Sequence, residues 1–248
     1  MIVYVNLEHR SLYNRPDSYH NHLARQLDLK FKFEKISGMT CLIQNYNDVS
    51  LQWFRNHGVK AMIISGCAAG LEVFEKGSLT PLCEIIKTAE IPILGLCGGH
   101  QIIGVAQGTK IKFMRKLRPG EPDLTDVIAV PNYFKEVGFM ALHIIKHDPI
   151  FRGIQGSPTL MACHFQALDR VPRGFELLAS TEECEVQVIK QSGKPIYGFQ
   201  FHPEAYTEGP DDMRSVLVCE VYPKGHDQIQ TDGRTIIENF FRIAGIIQ

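Results

Sequence analysis

Cys97 stands in I-P-I-L-G-L-C-G-G-H-Q-I-I-G-V, residues 91–105, with Gly95 before it and Gly98 and Gly99 after it. The apolar run Ile91, Ile93, Leu94 and Leu96 is too short for a helix and suits a buried strand, while Ile102, Ile103 and Val105 recur at helical spacing. Strand, sharp turn and helix follow one another, with a thiol at the turn. The pattern G-x-C-x-G is that of the nucleophile elbow with sulfur in place of the hydroxyl. A side chain there projects clear of the sheet, and the N–H groups of the next helix face it. That environment favours a thiolate and offers donors to an oxyanion. Taken alone, the stretch is better read as a buried cysteine beside a glycine-rich turn, since free cysteine is among the most buried residue types. A second stretch, P-I-Y-G-F-Q-F-H-P-E from Pro195 to Glu204, shifts the balance. Ile196 to Phe201 alternates as a strand, and His202 and Glu204, two apart, share one side of an extended chain. A base with a carboxylate to orient it is the second half of a Cys-His-acid triad, although a lone histidine there would be better read as an ordinary edge-strand residue.

G-L-C-G-G-H-Q (95–101) and Y-G-F-Q-F-H-P-E (197–204) together resemble the motifs of the class I glutamine amidotransferases, in that family's order. The resemblance runs from Ile2 to about Thr207 and again through the last helix. It implies Cys97 as nucleophile, His202 as base, Glu204 as the residue orienting it, and Gln101 as a contact for substrate glutamine. It also implies that the loop S-G-C-A-A-G, Ser65 to Gly70, supplies backbone N–H groups at Gly66 and Cys67 that complete an oxyanion hole with Gly98. The family's loop is commonly S-G-G-P, so Cys67 and Ala68 are departures that bear on the hole's geometry. In C-H-F-Q-A-L, 163–168, His164 matches the histidine of the family's Ser-His pair and Cys163 replaces the serine, which makes His164 a candidate substrate contact. As a residue by itself, His164 is as well explained by a loop histidine bonding the backbone. No cofactor is implied.

The chain's 248 residues, 44% hydrophobic and 21% charged, fit one large domain, expected over 1–248. A net charge of −1 argues against a broad nucleic-acid surface. No apolar run reaches the roughly 20 residues that span a bilayer. The N-terminal M-I-V-Y-V-N-L lacks the charged region of a signal peptide. Seven scattered cysteines without a C-x-x-C pair argue against a disulfide framework or a zinc site, and for a reduced, cytoplasmic setting.

Alternating strands and helices up to Cys97 predict an α/β fold: a doubly wound, mostly parallel sheet with flanking helices, its ligands at the strands' C-terminal edge. Strands are expected at Ile2–Leu7, Phe31–Ile36 and Val59–Ile64. Helices are expected at Ser18–Asp28 (Tyr19, Leu23 and Leu27 on one face), Asn47–His57 and Pro81–Ala89. Beyond Gly108, strands at Val127–Val130, Val137–Ile145 and Thr159–Cys163 predict a smaller antiparallel portion. Turn and strand over Val171–Ser180 follow, and a last helix capped by Thr231 or Asp232 buries Ile236, Ile237, Phe240, Phe241 and Ala244. Two sections exceed the family's pattern, near 113–135 and 207–232, the second with a strand at Val216–Tyr222. His143 and His147, four apart on a strand, lie too far apart for one ion, so no metal site is expected.

The chemistry implied is hydrolysis of a γ-glutamyl amide through a Cys97 thioester. No G-x-x-x-x-G-K-[ST] nucleotide loop is present, so a glutaminase would feed ammonia to a separate synthetase subunit. A free-standing hydrolase of γ-glutamyl amines or peptides, and a catalytically inactive regulatory relative, are the competing readings.

Overall fold

The computed structural model describes residues 1–14, 16–206 and 231–248. Eight strands form its central sheet: β1 (Ile2–Asn6), β2 (Cys41–Asn45), β3 (Ala61–Ile64), β4 (Ile93–Leu96), β7 (His143–Ile144), β10 (Phe175–Ser180), β11 (Val188–Gln191) and β12 (Ile196–Phe199). They lie side by side in the order β2-β1-β3-β4-β12-β11-β10-β7. From β2 to β12 all neighbours are parallel, while β11, β10 and β7 extend the sheet antiparallel. Two small antiparallel ribbons, β5 (Ile111–Phe113) with β9 (Gln166–Leu168) and β6 (Glu136–Ala141) with β8 (Thr159–His164), complete the expected mixed architecture.

Helices α1 (Pro16–Ser37), α2 (Leu51–Asn56), α3 (Thr80–Thr88), α4 (Gly98–Ala106) and α5 (Thr231–Ile243) cover the sheet. Alternation along β1 divides the core. Ile2 and Tyr4 face Phe33 of α1 and Phe240 and Phe241 of α5. Val3 and Val5 face the side of Ile85, Ile86, Ile102 and Ile103 from α3 and α4. Each such side chain, fully buried, contributes on the order of 1.5–3 kcal/mol.

Several elements depart from the sequence expectation. Phe31–Ile36 is not a strand but the second half of α1. Leu29 and Phe33 face inward at helical spacing, while Phe31, 58% exposed, points to solvent. On the expected face, Leu23 and Leu27 are exposed, while Tyr19 is half-buried edge-on against Tyr13. The second strand lies instead at Cys41–Asn45. The helix expected from Asn47 starts at Leu51, because the Ser50 side chain accepts the Trp53 N–H and caps it. Val127–Val130 is the end of a turn followed by irregular chain, with Val127 exposed rather than buried. The strand expected over Val137–Ile145 breaks at Leu142 into β6 and β7, which join different sheets. Thr231 and Asp232 fall inside the first turn of α5 and do not precede it. The strand expected at Val216–Tyr222 lies outside the described residues.

The section 113–135 is tied to the body of the protein. The Arg115 guanidinium forks onto both oxygens of Glu121 and both of Glu183, at 2.6–2.8 Å. Lys135 bonds Asp123 at 2.6 Å.

Because β4 lies between β3 and β12, three loops leave the same sheet edge side by side: 65–70 after β3, the turn at Cys97 after β4, and 200–206 after β12. Residues 66, 97 and 202 are thereby neighbours although far apart in the chain.

Candidate active site

Cys97 joins β4 to α4 with φ 49° and ψ −100°, a conformation that costs energy for any residue with a Cβ. Its backbone N–H donates to Phe199 C=O at 2.7 Å, which pins the elbow to β12. The glycines around it are required by closeness rather than by φ. A Cβ on Gly95 would lie 2.4 Å from the Gly99 carbonyl oxygen, and one on Gly99 would lie 2.4 Å from that of Ile64. The helix thus sits directly against the strands, and its first N–H groups, next in the chain after Cys97, lack intrahelical acceptors.

His202 and Glu204 do not share an extended strand. β12 ends at Phe199, and the chain turns at 202–205, closed by the Ala205 N–H donating to His202 C=O at 3.0 Å. Pro203 in this turn cannot donate to a ladder. The turn still brings the two side chains together, with His202 Nδ1 2.7 Å from Glu204 Oε1. The His202 N–H donates to Met161 C=O at 2.8 Å, fixing the backbone beneath the ring. Cys97, His202 and Glu204 are all buried, 6%, 6% and 2% exposed. A Cβ on Gly66 would lie 3.0 Å from His202 Cε1 and 3.4 Å from Cys97 Cβ, so the Cys97 side chain and the His202 imidazole flank this glycine.

The electrostatics follow from that packing. Burial alone would depress the His202 imidazolium. The Glu204 carboxylate, the Cys97 sulfur and hydrogen bonds to both more than reverse it and push its pKa up to about 10. Burial is the largest influence on Glu204 and raises it, but the charge and hydrogen bond of His202, with a smaller contribution from Arg25, whose Nη2 is 3.8 Å away, together lower it. Helix α1 also holds this turn through Lys32, which donates to the carbonyls of Glu204 (3.3 Å) and Tyr206 (2.7 Å).

The loop after β3 is anchored from both ends. Ser65 Oγ accepts the Leu7 N–H at 2.8 Å and donates to Gly66 C=O at 2.7 Å. The Ala68 N–H donates to the buried Glu8 carboxylate at 2.8 Å. Cys67 N lies 3.1 Å from where a Cβ on Gly98 would stand, so this N–H borders the first turn of α4. The Cys67 thiol is pushed well above the usual range by burial, and next by the Glu8 carboxylate. It donates to Ala69 C=O at 3.1 Å, which suits a packed thiol rather than a second nucleophile.

A thiol on a strained elbow, facing a carboxylate-bound imidazole, is a layout for acyl transfer, and comparison with known proteins agrees. The family model for class-I glutamine amidotransferases matches residues 18–215. The chain belongs to this family. Relatives include a glutamine-hydrolysing GMP synthase component from Methanocaldococcus jannaschii, 34% identical over 62% of this chain and 69% of the relative. The corresponding component from Thermococcus kodakarensis is 30% identical over 67% of this chain and 78% of the relative. Solved structures share the fold. A glutamine amidotransferase of Thermotoga maritima has a TM-score of 0.60 at 16% identity, covering 99% of this chain and 94% of that one. One of Methylobacillus flagellatus has a TM-score of 0.64 at 14% identity, covering 100% and 95%. No helix among the described residues is long and apolar enough to cross a membrane.

Within this amidotransferase domain the other expected site residues are placed as follows. Gln101, in the first turns of α4, is buried and donates through Nε2 to Gln166 C=O at 2.9 Å and to Gln200 Oε1 at 3.2 Å. His164 ends β8 with both ring nitrogens facing acceptors, Nε2 toward Glu136 Oε2 at 2.7 Å and Nδ1 toward Gln166 C=O at 3.2 Å. Its side chain therefore braces the corner between β8 and β9. The carbonyl of its neighbour Cys163 lies 3.9 Å from Cys97 Sγ. Glu136 and His164, with Cys184, place three ligand-type atoms within 4.8 Å of one another. The carboxylate there is taken up by hydrogen bonds from Thr181 (2.6 Å) and Gln187 (2.5 Å) as well as His164.

Three residues near the site escape a reading of the sequence. Glu8 and Glu136 act across 60 and 28 residues of chain and carry no local pattern. Gln200 donates to Cys97 Sγ at 3.5 Å. It stands inside the Y-G-F-Q-F-H-P-E motif, two residues before His202, where alternation could have marked it.

Proposed function

We propose that the protein is the glutaminase component of a two-part amidotransferase, releasing ammonia from the glutamine side chain for a separate synthetase. The observation that carries this is the strained Cys97 elbow opposite His202, whose Nδ1 lies 2.7 Å from Glu204. The Cys97 thiolate attacks the side-chain carbonyl carbon, and the carbonyl electron pair moves to oxygen. N–H groups of Gly98 and of the Gly66–Cys67 loop hold that oxyanion. His202, protonated beside Glu204, gives its proton to the departing nitrogen, so the C–N bond breaks to leave ammonia and a γ-glutamyl thioester. The imidazole then takes a proton from water, hydroxide adds to the thioester, and the C–S bond breaks to give glutamate and free thiolate. Glu204 keeps the imidazole in one tautomer and orientation throughout. Gln101 and the corner beside His164 are assigned to the α-amino and α-carboxylate end of glutamine.

The match to components of glutamine-hydrolysing GMP synthases makes a synthetase of that type the first partner to test. The experiment is ammonia release from glutamine, alone and with added synthetase and its substrates. Slow turnover that the partner accelerates, and that Cys97→Ser abolishes, is expected. Fast partner-independent turnover of γ-glutamyl amines in preference to glutamine would instead identify a free-standing hydrolase.

A further inference from the structure

We propose that Gln200 is a catalytic residue whose side-chain N–H holds the Cys97 sulfur in its anionic form, on a buried relay of amides that ends at Glu136. The proposal rests on Cys97 being the nucleophile. Gln200 is fully buried, and its Nε2 lies 3.5 Å from Cys97 Sγ. Its orientation is forced by the groups behind it. The Gln166 carbonyl can only accept, so the Gln101 NH2 group must face it, at 2.9 Å. The other N–H of that group then points to Gln200, at 3.2 Å, and requires the Gln200 oxygen there. This leaves the Gln200 NH2 facing the sulfur. A flipped amide would set oxygen against Cys97 and nitrogen against nitrogen.

The relay continues beyond Gln166. His164 Nδ1 reaches the same carbonyl at 3.2 Å, and His164 Nε2 reaches Glu136 at 2.7 Å. Thr181 and Gln187 then hold the Glu136 carboxylate. The backbone of Gln200 also donates to Gln187 C=O at 2.8 Å, so the chain of bonds closes on itself. A buried polar network closed in this way is rigid, and rigidity is what a donor to a reacting atom needs.

The donor acts twice in the reaction. Before attack it stabilises the thiolate over the thiol. When hydroxide has added to the thioester and the C–S bond breaks, the electron pair returns to sulfur, where the same N–H meets it. Gln101 is thereby a positioning residue for Gln200, in addition to any contact it makes with glutamine.

The test is the pH dependence of Cys97 alkylation by iodoacetamide in the absence of glutamine, read by mass spectrometry of the Cys97 peptide. Gln200→Met removes the donor at similar volume. Its midpoint should move about one unit to higher pH, with roughly tenfold slower labelling at neutral pH and an unchanged high-pH plateau. Gln200→Glu keeps the acceptor for Gln101 and sets a carboxylate against sulfur. Its shift should be larger, and it decides the matter should the Met variant not fold. Gln101→Met should shift the profile in the same direction by less. A purely structural role would lower the melting temperature or the plateau and leave the midpoint in place. Folded Gln200 variants with the wild-type midpoint overturn the proposal and leave Cys97 as nucleophile untouched. A wild-type Cys97 that iodoacetamide fails to label at any pH overturns both.

Discussion

Gly98 and Gly99 are adjacent in sequence, yet an alanine at each should fail in a different way. A Cβ on Gly99 would stand 2.4 Å from the Ile64 carbonyl oxygen and 2.9 Å from Ile64 Cβ, both in the central sheet. Neither can move without lifting α4 off β3. Overpacking of this kind costs about 1–3 kcal/mol, against roughly 1 kcal/mol gained by replacing a helical glycine. Gly99→Ala should therefore lose stability, at about 2–4 °C of melting temperature for each kcal/mol in a chain of this size. A Cβ on Gly98 instead meets Cys67, at 2.7 Å from Sγ and 3.1 Å from the backbone N. The sulfur is the end of a side chain but is tied to Ala69 C=O, so pushing it drags the loop with it. That loop carries the N–H assigned to the oxyanion. Gly98→Ala should melt within about 1 kcal/mol of wild type while kcat for glutamine hydrolysis falls on the order of 10²-fold, the usual loss for a displaced oxyanion donor. Adding Cys67→Ala removes the nearer clash and should restore part of the rate, a coupling that two independent sites would not show. The assays are a thermal melt and steady-state glutamate release. Wild-type kcat in folded Gly98→Ala would refute the assignment of Cys67 to the oxyanion hole.

Two further outcomes follow from the same geometry. Because the folded-state pKa of His202 is raised from 6.5 to about 10, the stability it contributes is complete below about pH 6.5 and disappears as pH climbs through 10. The melting-temperature advantage of wild type over Glu204→Gln should accordingly be widest near pH 6 and narrow steadily toward pH 10; an advantage that grows with pH would contradict the pairing. Glu8→Gln places an amide where the Ala68 and His9 N–H groups need acceptors, at 2.8 and 3.1 Å, and should cost about 1–3 kcal/mol in chemical denaturation with a fall in kcat at little-changed KM.

The parts of the fold that could be read from the chain are those where one period dominates. β4 into α4 with Leu94, Leu96, Ile102 and Ile103, α3 with Leu82, Ile85 and Ile86, and α5 with Ile236, Ile237, Phe240 and Phe241 bury residues their spacing marks, while Val105 of α4 stands 37% exposed and Ile91 precedes the strand. Helix α1 misled because it carries apolar residues on two faces. Leu29 and Phe33 pack inward while Leu23, Leu27 and Phe31 stand exposed, and together they imitate alternation. His202 and Glu204 meet, but through a turn closed at Ala205 and not along a strand. Glu8, holding the loop after β3, and Glu136, bracing His164, act on residues distant in the chain and become visible only when the sheet brings them together.

Whether Cys97 is the nucleophile is decided by affinity labelling with a chloroketone analogue of glutamine, followed by peptide mapping. A single covalent adduct on Cys97, protection by glutamine, and no adduct in Cys97→Ser are expected. An adduct on Cys67 or elsewhere, or none on a folded protein, would show that the nucleophile has been misassigned.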